Sequence, residues 1–239
     1  MIVIVPLLAL AVTIGISQPA AAQQNVQSLN KKLQQKEQFR PTPGTPLEQL
    51  IEVAKTFDIP MGIEWTESAK CNASPNGFQI EETVGELLKT IVRRCPAQTL
   101  TVEHGIVHVH SRFVRHPYNI LNLRVWRFQI KDGSAYDAQY ELRLAIDMQL
   151  HPKKYAGGSN GGHGSPRDEV LGIPNISFSG RNITIREVLD RIVKTNGNAL
   201  WVARLNAASL NRRVPLSKTY NDDEAIIRIW KLVPLKDIH

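Results

Sequence analysis

Residues 78–95, FQIEETVGELLKTIVRRC, read as a short strand running into a helix, and the pattern returns at residues 176–197 as ISFSGRNITIREVLDRIVKTNG. In the first stretch Val84, Leu87, Leu88 and Ile91 recur at helical spacing and form one apolar stripe. Arg93 and Arg94 suit the negative end of the helix dipole, and Pro96 stops the helix. In the second stretch Ile185, Leu189, Ile192 and Val193 form the stripe, and Gly197 closes it. At an offset of 101 residues Val84, Leu88, Ile91 and Val92 fall on these four, and Glu86 falls on Glu187. The two helices are copies within an internal repeat.

Working outward, QTLTVEHGIVHVHS (98–111) alternates apolar and polar residues on both sides of His104-Gly105, the pattern of a β-hairpin with a tight turn. Upstream, Thr45 followed by Pro46 makes an N-cap with proline at the first helical position. Leu47, Leu50, Ile51 and Ala54 then give one helix face, which ends at Asp58 to Pro60 before the strand-like MGIEW (61–65). Downstream, VWRFQI (125–130) reads as a strand and Lys131-Asp132-Gly133 as a turn. Ser134 caps a helix through about Met148, with Asp137 completing a capping box. A glycine-rich insertion at 156–168, the second repeated helix, and the strands ALWVARL (199–205) and AIIRIWKL (225–232) follow. The expected fold class is α+β: two small repeated units, 45–116 and 117–239, each with two helices packed on a small mixed β-sheet. The repeat is carried by the later part of each unit, because their first helices align poorly.

In both units the short strand, the helix of the form VGELLKTIVRR or IREVLDRIV, and the following strand resemble the secretin and TonB short N-terminal domain and the related periplasmic N-domains of secretins. The likeness covers roughly Thr45 to Ser111 well and Phe128 to Leu232 less well. It rests on a buried-residue pattern, which identifies a fold more than a function. Those domains normally precede an outer-membrane barrel or a secretin pore, and no such strands follow in this sequence up to His239. The resemblance therefore implies a standalone periplasmic protein of two such units, a binding or assembly module.

At the amino terminus, MIVIVPLLALAVTIGIS carries no charged side chain and is followed by the small-residue stretch QPAAAQQ. This reads as a signal peptide over residues 1–22, cleaved after Ala22, with an uncleaved anchor as the alternative because the usual basic n-region is absent. No later segment is long and apolar enough to span a bilayer, so the mature form is expected to be soluble and periplasmic or secreted. Residues 23–44 are rich in glutamine and lysine with few apolar side chains, and are expected to form a flexible lead-in. The +7 net charge lies wholly outside the signal and favours acidic partners, in this setting acidic envelope surfaces; nucleic acid is not expected. Cys71 and Cys95 are the only cysteines, and export allows them to pair as a disulfide. Two unpaired thiols are the alternative. Without CxxC or a second pair, neither a thioredoxin-type site nor a zinc ribbon is available.

His104, His108, His110 and His116 form the one cluster with a chemical suggestion. His108 and His110 are two apart on a strand, so their rings share a face and can hold zinc or copper if a third ligand arrives, with Glu103, His151 and His163 as conceivable donors. Against this stands an edge strand with a polar outer face, the preferred reading. The loop GGSNGGHG (157–164) lacks the GxxxxGK(S/T) pattern and reads as a connector. His163, Ser165 and Asp168 are near in sequence only, which is no catalytic geometry. Glu81-Glu82 and Asp222-Asp223 sit where acids cap or solvate, while Asn72, Asn175 and Asn182 match a glycosylation pattern relevant only to a eukaryotic source. Trp65, Trp126, Trp201 and Trp230 fall in strand-like segments, as core or sheet-face residues or, if exposed, recognition anchors. No catalytic or cofactor-binding residue stands out. The function expected is a non-enzymatic exported interaction or envelope-assembly module whose partner, an envelope or secretion-system protein, adds to a sheet edge at VEHGIVHVHS (102–111) or AIIRIWKL. The alternatives are a periplasmic metal binder using His108 and His110, and an enzyme with its site between the two units.

Overall fold

Hydroxyl caps start four helices, at Thr45 and Ser134, where the sequence places them, and at Thr83 and Thr184. The computed structural model describes residues 20–36, 39, 41–66, 71, 83–112, 115, 119–155, 176–195, 199–205 and 225–231. Helix α1 covers Ala20–Gln34. At α2 (Pro46–Thr56) Thr45 accepts from the Glu48 amide while Glu48 accepts from the Thr45 amide. Thr83 caps α3 (Val84–Arg93) through the Glu86 amide. Ser134 and Asp137 make the reciprocal box at α4 (Ala135–Leu150), which leads into the single turn α5 (Pro152–Tyr155). Thr184 and Glu187 do the same at α6 (Ile185–Thr195). Each such cap contributes about 1 kcal/mol.

The strands are β1 (Met61–Thr66), β2 (Gln98–Glu103), β3 (Ile106–Ser111), β4 (Arg124–Gly133), β5 (Ile176–Thr184), β6 (Ala199–Leu205) and β7 (Ala225–Lys231). The mixed α+β class is as expected, but its layout is not. Five strands form one sheet in the order β2-β3-β1-β6-β7, and β4 and β5 form an antiparallel ribbon beside it. The central strand β1 runs parallel to β3 on one side and to β6 on the other. Strands from 45–116 and from 117–239 thus share a sheet, which corrects the expectation of a separate sheet in each stretch. The physical reason lies in β1, whose six residues are all buried, so that both of its edges must be paired and both of its faces covered.

Alternation along the shared strands divides the core in two. Met61, Ile63, Trp65, Val107, Val109, Leu200 and Val202 point to the face covered by α2 and α3. Ile106, Ala199, Trp201, Ala203 and Leu205 point to the opposite face, covered by α4, α6 and the β4–β5 ribbon. The helices of the first stretch therefore cover one side of the sheet and those of the second stretch the other.

Residues 23–34 depart from the flexible lead-in expected of 23–44. Leu29 of α1 is buried in the core cluster that α2 and α3 line, α1 lies against α3, and Leu33 packs against the same cluster. Lys32 donates to the Asp58 carbonyl and pairs with its carboxylate at 2.8 Å, while the ring of Phe39 meets Phe57 edge-on at 5.2 Å. Gly85 makes the approach possible, since a Cβ there would lie 3.2 Å from the Leu33 carbonyl oxygen. A few apolar side chains suffice because a helical turn brings Leu29 and Leu33 onto one face.

Cys71 and Cys95 are joined in a disulfide, as expected. Among the described residues no helix is long and apolar enough to cross a membrane. The proposed signal peptide up to residue 19, the strand expected at 78–82, Glu81-Glu82, the glycine-rich insertion, Asp222-Asp223, and Asn72 and Asn175 lie outside the described residues.

Candidate functional site

The β2–β3 hairpin turns at His104 (φ 53°) and Gly105 (φ 80°), two left-handed residues that match the twist of the flanking strands. Such a turn makes Glu103 and Ile106 a hydrogen-bonded pair, so the bonded pairs continue at Thr101/His108 and Thr99/His110. Two independent bonds fix the same phase. The Arg112 amide donates to the Ala97 carbonyl in the next bonded pair, and the Val107 amide turns away from β2 to donate to Pro60. The peptide groups of Leu100 and Val102 consequently point out from the sheet along its β2 edge. On the far side β7 is also outermost, but its Ile229 amide donates to Gln139 of α4 at 3.3 Å, so that edge is partly covered.

The hairpin also decides the fate of the two histidines. His108 and His110 share a face, as their spacing requires, and their rings stack with centroids 5.3 Å apart. The strand that carries them is not an edge: β3 lies between β2 and β1, and His108 is buried. This corrects the expectation of a polar edge strand at 106–111. The sequence signal was available, because IVHVHS sits on the far side of the tight turn from QTLTVE and only one arm of a hairpin can be outermost.

Around His108 the two stretches contribute a polar seam. Its Nε2 lies 3.8 Å from Asp190 of α6, whose other carboxylate oxygen accepts from the indole of Trp201 at 3.0 Å. The Trp201 ring lies over Gly62 of β1, where a Cβ would stand 2.6 Å from it. Burial pushes His108 down to about 4, and burial raises Asp190 to about 6 against the opposing Trp201 hydrogen bond and the nearby Lys194 and Arg186. With the imidazole neutral above pH 4 and the carboxyl protonated below pH 6, the contact is a polar one and not an ion pair. His110 is also pushed down by burial, then by His108, and shares a hydrogen bond with the Thr101 hydroxyl at 3.1 Å.

One residue pair further along β1, the wholly buried Glu64 accepts from Arg186 of α6 at 2.7 Å and from Asn119 at 2.8 Å. Arg186 also donates to Asn122, which closes the 3₁₀ turn Ile120–Asn122. Burial raises the Glu64 carboxyl and outweighs Arg186, the largest of the groups that hold it down. The pair tethers α6 across the sheet to β1.

Hydrogen bonds and the Glu64–Arg186 ion pair hold the groups of this seam in place. Among the described residues no set of three His, Cys, Asp or Glu side chains is placed to hold a metal ion with His108 and His110. Glu103 ends β2, His151 pairs within α4's end with Asp147, and His116, His163, Ser165 and Asp168 lie outside the described residues. Trp65 and Trp201 are core residues, as expected, whereas Trp126 is 76% exposed. The chain as a whole matches no known family profile, no curated protein and no solved structure.

Proposed function

We propose that the protein is a non-enzymatic, exported interaction module of the cell envelope that takes up an extended segment of a partner protein along the β2 edge. The observation that carries this is the outward direction of the Leu100 and Val102 peptide groups on an outermost strand. Val102 is itself 44% exposed, a small apolar foothold beside backbone that no described strand pairs. Main-chain pairing supplies affinity in this mode, and alternate side chains supply selectivity. The Cys71–Cys95 disulfide is in keeping with an oxidising compartment. The apolar residues 1–17 are read as the export signal. The helix-and-strand recurrence at 101 residues supports two units of the secretin and TonB short N-terminal kind that have come to share a sheet.

The test is capture of partners from envelope extract with tagged protein, identification by mass spectrometry, and titration of the partner against variants. Val102→Pro removes an outward amide without touching the ladder to β3, a place where an edge strand tolerates proline. Loss of binding by tenfold or more in Val102→Pro, with melting unchanged and Val102→Thr still binding, supports strand addition. Equal affinity of Val102→Pro and the parent protein refutes it.

A further inference from the structure

The outward face of the β4–β5 ribbon gathers positive charge around an exposed indole. Val125, Phe128 and Ile130 turn into the core, and the alternation breaks between Val125 and Phe128, so that both Trp126 and Arg127 face solvent. The break coincides with Asn182, which stands across from Trp126 and adopts φ 49°. Arg127 is paired directly with Arg181 across the ribbon, and Arg124 and Lys131 extend the charge along β4. Like charges opposite one another destabilise a ladder. Nothing within the ribbon neutralises them: Arg127 donates to the amide oxygen of Gln129, Arg124 donates to the Asn182 carbonyl, and Arg181 makes no hydrogen bond or ion pair with a described residue. Glu187 of α6, held chiefly by the Thr184 amide and hydroxyl, faces Arg124 and not the Arg127/Arg181 pair, and Asp132 lies at the far end of β4.

We propose that this face docks on an anionic phospholipid bilayer, with Trp126 at the headgroup level and Arg127 and Arg181 on lipid phosphates. One occupant then accounts for both features. An indole standing clear of its own protein gains most where one side is apolar and the other wet. The facing guanidiniums are relieved by an anion placed between them, which phosphate geometry suits. The net charge of +7 attracts the same surface from a distance. This inference goes beyond strand addition and uses different strands, so either can fail alone.

Vesicle co-sedimentation of the full chain tests it, with vesicles of phosphatidylcholine alone or containing phosphatidylglycerol. Binding is expected only with the anionic lipid and is expected to fall as salt rises. Arg127→Gln with Arg181→Gln is expected to weaken partitioning roughly thirtyfold. Brominated-chain lipids are expected to quench a tryptophan signal that Trp126→Phe lacks. Binding indifferent to lipid charge and to these variants, as insertion of the apolar residues 1–17 alone would give, overturns the proposal. So does absence of binding, or tighter binding to an oligonucleotide or to polyglutamate than to vesicles.

Discussion

Replacing Arg186 by methionine strands a carboxylate at the centre of the sheet. Glu64 is wholly buried, and of its two partners only Arg186 carries charge. Removing one member of a buried pair typically costs about 3–5 kcal/mol, and the partial exposure of the Arg186 side chain places this case near 3 kcal/mol. For a chain of this size that lowers the melting temperature by roughly 6–12 °C at pH 7. The pH dependence has a definite sign. A carboxyl whose value is raised in the fold is neutral at low pH, and its ionisation subtracts stability as pH rises through the folded value. Losing Arg186 raises it further, so the deficit is greatest at neutral pH and shrinks toward the unfolded glutamate value of about 4.3. Urea denaturation of the parent, Arg186→Met and Glu64→Gln/Arg186→Met at pH 7 and pH 4.5 measures this. The double variant keeps an acceptor for Asn119 and is expected to recover most of the loss. A deficit under about 1 kcal/mol at pH 7, or one that does not change with pH, refutes the tether.

His108 and Asp190 are expected to offset one another in acid. The folded state binds fewer protons at His108 between about 4 and 6.5, so acid removes stability there, whereas it binds more at Asp190 between about 3.8 and 6, so acid adds it. Asp190→Asn unmasks the histidine, and its unfolding free energy from urea titration is expected to fall from pH 7 to pH 4 by about 3 kcal/mol more than the parent's. Gly62→Ala places a methyl against the Trp201 ring and is expected to cost about 1–3 kcal/mol, with a shift in near-ultraviolet circular dichroism from the displaced indole. Replacing Cys71 and Cys95 by serine opens a loop of sequence separation 24 and is expected to cost about 3 kcal/mol by thermal melting, as is reduction of the parent protein.

Local chemistry made much of the fold legible. Thr45-Pro46 and Ser134 with Asp137 cap helices where the hydroxyls stand, and His104-Gly105 turns the hairpin. The apolar stripes of α3 and α6 are the buried faces of those helices. What was not legible is who pairs with whom. The β1–β6 register joins Met61 to Leu200, and main-chain hydrogen bonds leave no residue-type signature across such a separation. The Glu64–Arg186 pair spans 122 residues for the same reason. A clue existed in MGIEWT, where an acid within an otherwise apolar strand signals a buried partner. The docking of α1 was missed because composition counts apolar residues without asking whether Leu29 and Leu33 align.

The most direct test of the account is amide hydrogen exchange along β2 in the free protein. An open edge at the assigned register predicts an alternation, with Thr99, Thr101 and Glu103 protected by β3 and Leu100 and Val102 exchanging rapidly. Bound partner should then slow those two. Protection of Leu100 and Val102 equal to that of their neighbours in the free protein means the edge is already occupied, and contradicts strand addition at β2.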